Sequence, residues 1–139
     1  MIAVFSSYQG VEARTLVFAT GVVNAKGYET QSPMENSPEA VGHGILHFPG
    51  GNLIGTFTEN NPQINFNPIA CSAAPTSQGK ITITGGTGIY LGAKGSLIAT
   101  TTGYIIGARG PDGACIGDKA PSKSDAVLIN AVGTITLKK

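Results

Sequence analysis

The sequence predicts an all-β protein, built as a single small antiparallel β-barrel of about eight strands. The longest stretch without glycine or proline, residues 122–132, has only 11 residues, which leaves little room for helices. The 20 glycines and 8 prolines instead divide the chain into short segments of alternating polarity. Threonine, which is favoured on half-buried strands, is concentrated in these segments. At 139 residues, the chain fits one domain, residues 1–139, with a core of its own.

Turn residues and alternating polarity together predict where each strand lies. In chain order, the predicted strands are Ile2–Tyr8, Arg14–Ala25, Gly42–Phe48, Leu53–Glu59, Gln63–Asn67, Lys80–Thr84, Ser96–Ile106 and Ala126–Leu137. Strands of this length, separated by turns at this spacing, are typical of a closed barrel or a sandwich.

The clearest local unit is a hairpin between the third and fourth predicted strands. Gly50 and Gly51 predict a two-residue turn with positive φ. In that register Phe48 faces Leu53, and alternation defines the side of the hairpin that packs inward. The predicted inward residues are Leu46, Phe48, Leu53 and Phe57, with Glu59 at the end of the row, near a mouth of the barrel. His43 and His47 then point outward.

Alternation also sorts the residues of the other strands. Phe18 shares a face with Leu16, and Arg14 at the start of that strand is expected at the barrel rim. On the seventh strand, alternation does not decide which face is inward, so Tyr104 is a candidate for the interior on chemical grounds only. The last strand turns Val127, Ile129, Ile135 and Leu137 toward the core. Because both faces of these two strands are apolar, the outer one is expected to contact a loop or another subunit.

Charge and composition exclude several classes of function. Nine basic and eight acidic residues leave a net charge of +1, which lacks the basic footprint of a nucleic-acid-binding protein. No apolar run approaches the roughly 18 residues of a membrane-spanning helix, so no membrane partner is expected. His43 and His47 lie about 13 Å apart along a strand, too far to share an ion, so no metal site is predicted.

Cys71 and Cys115 are the only cysteines, and both lie in sequence typical of loops. They are either two buried thiols or one disulfide, and their loop context favours the disulfide. A disulfide would indicate an oxidising compartment. The sequence therefore predicts a secreted or cell-envelope protein whose export signal lies outside this chain, although a cytoplasmic location stays open.

One segment carries a resemblance to known families. The run from Ile83 to Leu97 contains Gly-Gly-Thr-Gly, an aromatic residue and Gly-Ala-Lys-Gly, and it resembles the strand–turn–strand signature of allene oxide cyclase-like and dirigent-like barrels. Two other segments, His-Phe-Pro-Gly-Gly at 47–51 and Asn-Pro-Ile-Ala-Cys at 67–71, are similar to those of small exported bacterial proteins that bear this signature. The resemblance implies an eight-stranded barrel, often oligomeric, whose lumen binds an apolar small molecule without a metal or organic cofactor. None of the catalytic residues of those families falls on the matched segment.

The resulting functional hypothesis is a cofactor-independent cyclase or isomerase acting on a terpenoid, polyene or oxylipin-like substrate in the lumen. Glu59 is the expected acid or base, and Tyr104 is the expected hydrogen-bond donor. The predicted walls and rim of the substrate site are Phe18, Phe48, Phe57 and Arg14. Two alternatives remain open: a non-catalytic carrier of a hydrophobic ligand, and a structural protein with a filled barrel that associates through its outer strand faces.

Overall fold

The computed structural model of the chain describes residues 2–8, 11–12, 15–31, 41–117, 120 and 122–138. These residues form nine β-strands and one short 3-10 helix, η1 (Gly88–Tyr90). The strands are β1 (Ile2–Tyr8), β2 (Val11–Glu12), β3 (Thr15–Ala19), β4 (Ala25–Gln31), β5 (Val41–Phe48), β6 (Gly51–Asn67), β7 (Ser72–Gly86), β8 (Lys94–Ile106) and β9 (Ser124–Thr136). The described residues include no helix that is long and apolar enough to cross a membrane.

All nine strands belong to one curled antiparallel sheet, in the order β2-β1-β3-β4-β5-β6-β7-β8-β9. Strand β1 pairs with β3 and also with β9, where Ile2 lies opposite Asn130. From β3 onward, each strand pairs with the next strand along the chain. The prediction of an all-β antiparallel protein is therefore confirmed.

The strand boundaries differ from the prediction in three places. The predicted strand Arg14–Ala25 is interrupted by a turn, where Gly21 and Asn24 have positive φ values of 87° and 42°. The two predicted strands Leu53–Glu59 and Gln63–Asn67 are one strand, β6, with a register irregularity between them. Strand β7 begins eight residues earlier than Lys80, because pairing with β6 and β8 extends it through a segment of low β-propensity.

The hairpin between β5 and β6 turns at Pro49-Gly50 and not at Gly50-Gly51. Phe48 pairs with Gly51, and Gly50 has a φ of 89°. Proline holds φ negative at the first turn position and glycine accepts positive φ at the second, which is the pattern of a type II turn. The predicted register is thus wrong by two residues, but a shift of two keeps every side chain on its predicted face.

The core lies on the concave face of the sheet, which is lined by alternate residues of strands whose side chains are described, such as β3, β8 and β9. Val17 and Leu53 are the largest fully buried side chains, at 0% and 1% exposure. On β8 and β9 the buried or half-buried positions are the odd-numbered ones, which confirms the predicted inward face of β9 and settles that of β8. The core cluster comprises Val17, Ala19, Leu46, Phe48, Leu53, Ile83, Tyr90, Ala93, Leu97, Ala99 and Ala131.

The glycine-rich connection between β7 and β8 closes one end of this core. Tyr90 is only 2% exposed, and its ring meets the Phe48 ring edge-on with centroids 6.0 Å apart. The backbone nitrogen of Tyr90 donates to the Thr87 carbonyl, which forms the single turn of η1. The aromatic residue of the glycine-rich segment therefore plugs the turn.

A disulfide joins Cys71 to Cys115, with the Cα atoms 5.5 Å apart. It connects the turn between β6 and β7 to the loop that follows β8. Beside it, the Arg109 guanidinium donates to the carbonyls of Ile69 and Gly113. Of the two alternatives for the cysteines, the structure adopts the disulfide.

Candidate functional site

A cavity of about 150 Å³ opens on the concave face of the sheet. Its walls are mostly apolar, and its polar side chains come from four strands, β4, β5, β6 and β8. The described residues that line it are Glu29, Gln31, Gly42, His43, Gly44, Leu46, Gly55, Thr56, Phe57, Glu59, Ile81, Ile83, Thr101, Ile129 and Ala131. The cavity therefore draws on strands β4 to β9.

The cavity exists because small residues occupy neighbouring inward positions. Gly44 lies opposite Gly55, and Gly42 lies opposite Phe57. A Cβ atom on Gly44 would lie 2.9 Å from Oε1 of Glu29, so the glycine leaves the room in which that carboxyl group sits. Larger side chains at these positions would fill the space that the cavity occupies.

Glu29 is a half-buried acidic residue in the wall of the cavity. It projects from β4, directly opposite Leu46 on β5. Burial raises the pKa of the Glu29 carboxyl above its ordinary value, and a hydrogen bond with the Gln31 side chain opposes part of that rise. A carboxyl group of this kind retains its proton to higher pH than an exposed glutamate, so it can act as a hydrogen-bond donor or an acid.

Glu59 and Thr101 also line the cavity. The Ser77 hydroxyl, on a residue only 6% exposed, donates a short hydrogen bond to the Glu59 carboxylate. Thr101, which pairs with Ser77 in the sheet, has a buried hydroxyl oxygen that makes no hydrogen bond within the described structure. A buried hydroxyl without a partner is unusual in a folded protein, and this one belongs to a residue that lines the cavity.

Of the residues predicted to form the site, Glu59 and Phe57 line the cavity. Phe48 does not line it, because it is buried at 7% exposure against Tyr90 in the core. Phe18 is on the opposite face of the sheet, 42% exposed, with the Lys26 ammonium 5.8 Å from its ring centre. Its neighbour Val17 holds the inward position instead.

Tyr104 does not face the interior either. It is 52% exposed on the outer face of β8, where the alternate residues of the strand turn to solvent. Thr101, three residues earlier, is the β8 residue that lines the cavity. Tyr104 is therefore not among the described residues that line this cavity. Arg14 lies outside the described residues.

By alternation along β5, both histidines fall on the face opposite Leu46 and Phe48, as predicted, and His43 also reaches the lining of the cavity. His43 is exposed, while the His47 ring stacks on Tyr28 with centroids 4.5 Å apart. The Nε2 atom of His47 is 2.9 Å from the Thr30 hydroxyl. Across the described ranges, no group of three or more histidine, cysteine, aspartate or glutamate residues is placed to hold a metal ion.

Sequence reasoning missed Glu29 and Thr101. Glu29 falls in β4, which alternation did not separate as a strand because Gly27 and the preceding turn interrupt the apolar pattern. Thr101 is the middle one of three consecutive threonines, and only the burial pattern of β8 distinguishes it from its two exposed neighbours. The inward residues of β8 are the odd-numbered ones, and knowing this would have identified Thr101 as an inward residue.

Comparison of the chain with models of known protein families, with curated proteins and with solved structures finds no match.

Proposed function

We propose that the concave face binds one small, neutral, largely apolar molecule that carries a single hydrogen-bonding group. The observation that carries the proposal is the apolar cavity, with Glu29 and Thr101 in its wall. Its volume of about 150 Å³ is below the roughly 300 Å³ at which ordinary ligand sites begin. A cavity of about 150 Å³ is known to accommodate a benzene-sized ring. The ligand class is therefore a single-ring compound rather than an extended polyene.

The polar groups select among such compounds. Glu59 already accepts the Ser77 hydrogen bond, whereas the Thr101 hydroxyl has no partner in the described structure. A ligand hydroxyl or carbonyl next to Thr101 would satisfy that group, and it would remove the cost of leaving it buried and unpaired. The apolar walls favour a neutral ligand, because a charged molecule would lose its hydration on entering the cavity.

A second candidate function is a cofactor-independent isomerase or cyclase acting on the same class of compound. The raised pKa of the Glu29 carboxyl, within an apolar cavity, supports it. In this version the Glu29 carboxyl donates its proton to the bound molecule, and the Glu59 carboxylate stabilises the positive charge that forms there. Glu29 then takes a proton back from the rearranged molecule. Turnover of a bound compound by the wild type, lost in Glu29→Gln, would separate the enzyme from a carrier.

The binding experiment uses phenol and toluene as probes in isothermal titration calorimetry. Phenol offers a hydroxyl and toluene does not, while both have the size of one ring. We expect Thr101→Val to weaken phenol binding by about two- to tenfold, the loss of one hydrogen bond, and to leave toluene unchanged. Thr102→Val is the matched control, since Thr102 is exposed on the outer face of the same strand. Equal effects of the two variants, or no binding of either probe, would refute the proposal.

The shape of the fold is part of the proposal. We infer that eight long strands close into a barrel, as the resemblance to allene oxide cyclase-like and dirigent-like proteins implies. The pairing of β1 with both β3 and β9 supports closure, since it joins the two ends of the curled sheet. Val4 lies opposite Leu128 in this pairing. A closed barrel should let Val4→Cys/Leu128→Cys form a second disulfide, and an open sheet should not.

The disulfide supports an oxidising location for the protein. Bridges between loop cysteines persist in secreted and cell-envelope proteins and are rare in a reducing cytoplasm. Trapping free thiols in intact cells with an alkylating reagent should leave Cys71 and Cys115 unmodified. Modification of both residues in the native protein would place it in a reducing compartment.

A further inference from the structure

Three exposed apolar side chains project from the turns at one end of the sheet. Because antiparallel strands β3 to β9 pair in chain order, the β3–β4, β5–β6 and β7–β8 connections all lie at the same end of the strands. We call this the η1 end, and its described residues are 20–24, 49–50, 87–93 and 137–138. Val22, Ile89 and Leu91 are 58%, 66% and 69% exposed there. Large apolar side chains exposed together at one end of a protein indicate a contact surface.

These side chains are held outward because their neighbours pack inward. Tyr90, between the two exposed residues of the β7–β8 connection, is 2% exposed and plugs the core. Val23, which follows the exposed valine, packs against the core cluster. The η1 turn also rests on the β5–β6 hairpin, since the backbone nitrogen of Ile89 donates to the Gly50 carbonyl at 3.1 Å. The exposed side chains are therefore fixed before they meet a partner, which lowers the entropic cost of association.

The charged residues at the η1 end are basic. Lys26 is the second residue of β4, Lys94 is the first residue of β8, and Lys138 follows the end of β9; all three are exposed. The Lys138 side chain lies against the η1 turn, where a Cβ atom on Gly92 would be 3.2 Å from its Cδ atom. The strands and turns that form this end have no acidic residue in the ranges 15–28, 48–58, 79–107 and 126–138. The net charge of +1 therefore conceals a local excess of positive charge.

We propose that the η1 end docks on the surface of an anionic lipid bilayer. Val22, Ile89 and Leu91 enter the region between the head groups and the acyl chains, and the three lysines contact the phosphates of the head groups. Apolar insertion combined with basic side chains binds proteins to a membrane surface without a spanning helix. The sequence-based expectation of no membrane partner rests on spanning segments and whole-chain net charge, and neither measures a local surface. None of these residues lines the cavity, so the inference does not depend on what the cavity binds.

A lipid surface fits these residues better than the other classes of partner do. The apolar side chains project from separate turns, and a fluid bilayer accommodates them without a matching groove. A second copy of the chain, docked through the same end, would bring lysines against lysines. Nucleic acid would pair with the lysines but would leave the apolar side chains without a partner. An anionic bilayer satisfies both the apolar and the basic residues.

The first test is co-sedimentation with vesicles of equal parts phosphatidylglycerol and phosphatidylcholine, with pure phosphatidylcholine vesicles as the neutral comparison. We expect binding to the anionic vesicles that weakens as salt is added. Ile89→Gln/Leu91→Gln should lower the partition coefficient by about tenfold or more, because two apolar side chains no longer enter the interface. The matched control is Ile64→Gln/Phe66→Gln on β6, away from the η1 end, where the side chains are 67% and 59% exposed. It should bind like the wild type.

The second test separates local charge from total charge. Lys94→Gln/Lys138→Gln removes two charges from the η1 end, and we expect binding to anionic vesicles to weaken by about tenfold or more. Lys80→Gln/Lys123→Gln removes the same total charge from exposed lysines elsewhere, and it should have a smaller effect. All four lysines are exposed, so folding should be retained, and thermal melting checks this.

The third test locates the contact by fluorescence. The chain has no tryptophan, so Leu91→Trp introduces a single indole at the η1 end. Its emission should shift to the blue when anionic vesicles are added, because the ring leaves water, whereas Ile64→Trp should show no shift. The proposal is overturned if the wild type does not bind anionic vesicles, binds neutral vesicles equally well, or loses as much binding in the control variants. It is also overturned if Leu91→Trp emission does not change on the vesicles, or if Ile89→Gln/Leu91→Gln abolishes a dimer that forms without lipid.

Discussion

Two neighbouring residues of β6, Leu53 and Ile54, offer a direct test of the face assignment on which the core and the cavity depend. Leu53 is 1% exposed on the concave face, whereas Ile54 is 38% exposed on the outer one. Truncating a fully buried leucine to alanine removes its buried carbons and leaves a cavity, at a cost of about 2–5 kcal/mol. Truncating an exposed side chain on a strand changes the free energy of unfolding by about 1 kcal/mol or less.

The difference is large enough to measure by thermal or urea unfolding. An unfolding entropy of about 2.1 cal/mol/K per residue gives about 0.3 kcal/mol/K for a chain of 139 residues. A loss of about 3 kcal/mol in Leu53→Ala therefore lowers Tm by about 10 °C, and Ile54→Ala should lower it by no more than about 3 °C. Equal losses in the two variants, or a larger loss in Ile54→Ala, would refute the assignment of faces along β6.

Three other predictions test separate features. Burial raises the pKa of Glu29 in the folded state, so the folded protein holds that proton more tightly than the unfolded chain does. The free energy of unfolding should therefore fall as pH rises from the ordinary glutamate range through the raised pKa. Urea unfolding across pH should show a smaller fall in Glu29→Gln. Removing the disulfide with Cys71→Ser/Cys115→Ser should cost about 4 kcal/mol, since the bridge spans 44 residues, and added reductant should not destabilise the variant further. Gly86→Ala should cost about 1–3 kcal/mol in thermal melts, because its Cβ would lie 2.3 Å from a backbone carbonyl oxygen. Gly85→Ala, with nothing within 4 Å, should be close to neutral, and equal losses at the two glycines would contradict the packing of this turn.

The faces of the β5–β6 hairpin could be predicted because alternation has a period of two residues. The turn lies one residue earlier than expected, which shifts the pairing register by two residues, yet Leu46, Leu53 and Phe57 still lie on the predicted concave face. An error of one residue in the pairing register would have moved all three residues to the outer face. Alternation therefore specified which residues face inward better than it specified the turn.

Other features depend on pairing that no local pattern contains. The first eight residues of β7, Ser72–Gly79, hold alanine, proline and glycine, and they extend because β6 and β8 pair with them on both sides. Phe18 is predicted in the wall of the substrate site, on the face that it shares with Leu16. Its smaller neighbour Val17 is buried instead, since the parity of β3 is set by its partners in the sheet.

The register irregularity in β6 changes which residues of the strand face inward. Between Asn60 and Gln63 the strand gains one residue relative to β7, and Asn61 adopts a positive φ of 49°. An added residue reverses the alternation, so the odd positions that face inward at Phe57 and Glu59 give way to outward odd positions from Gln63 onward. Without the added residue, the polar side chains of Gln63–Asn67 would continue along the concave face and the apolar ones along the outer face. Deleting Asn61 should therefore exchange the two faces of Gln63–Asn67 while leaving the cavity end of β6 in register, and hydrogen exchange of the two halves of β6 would separate these effects.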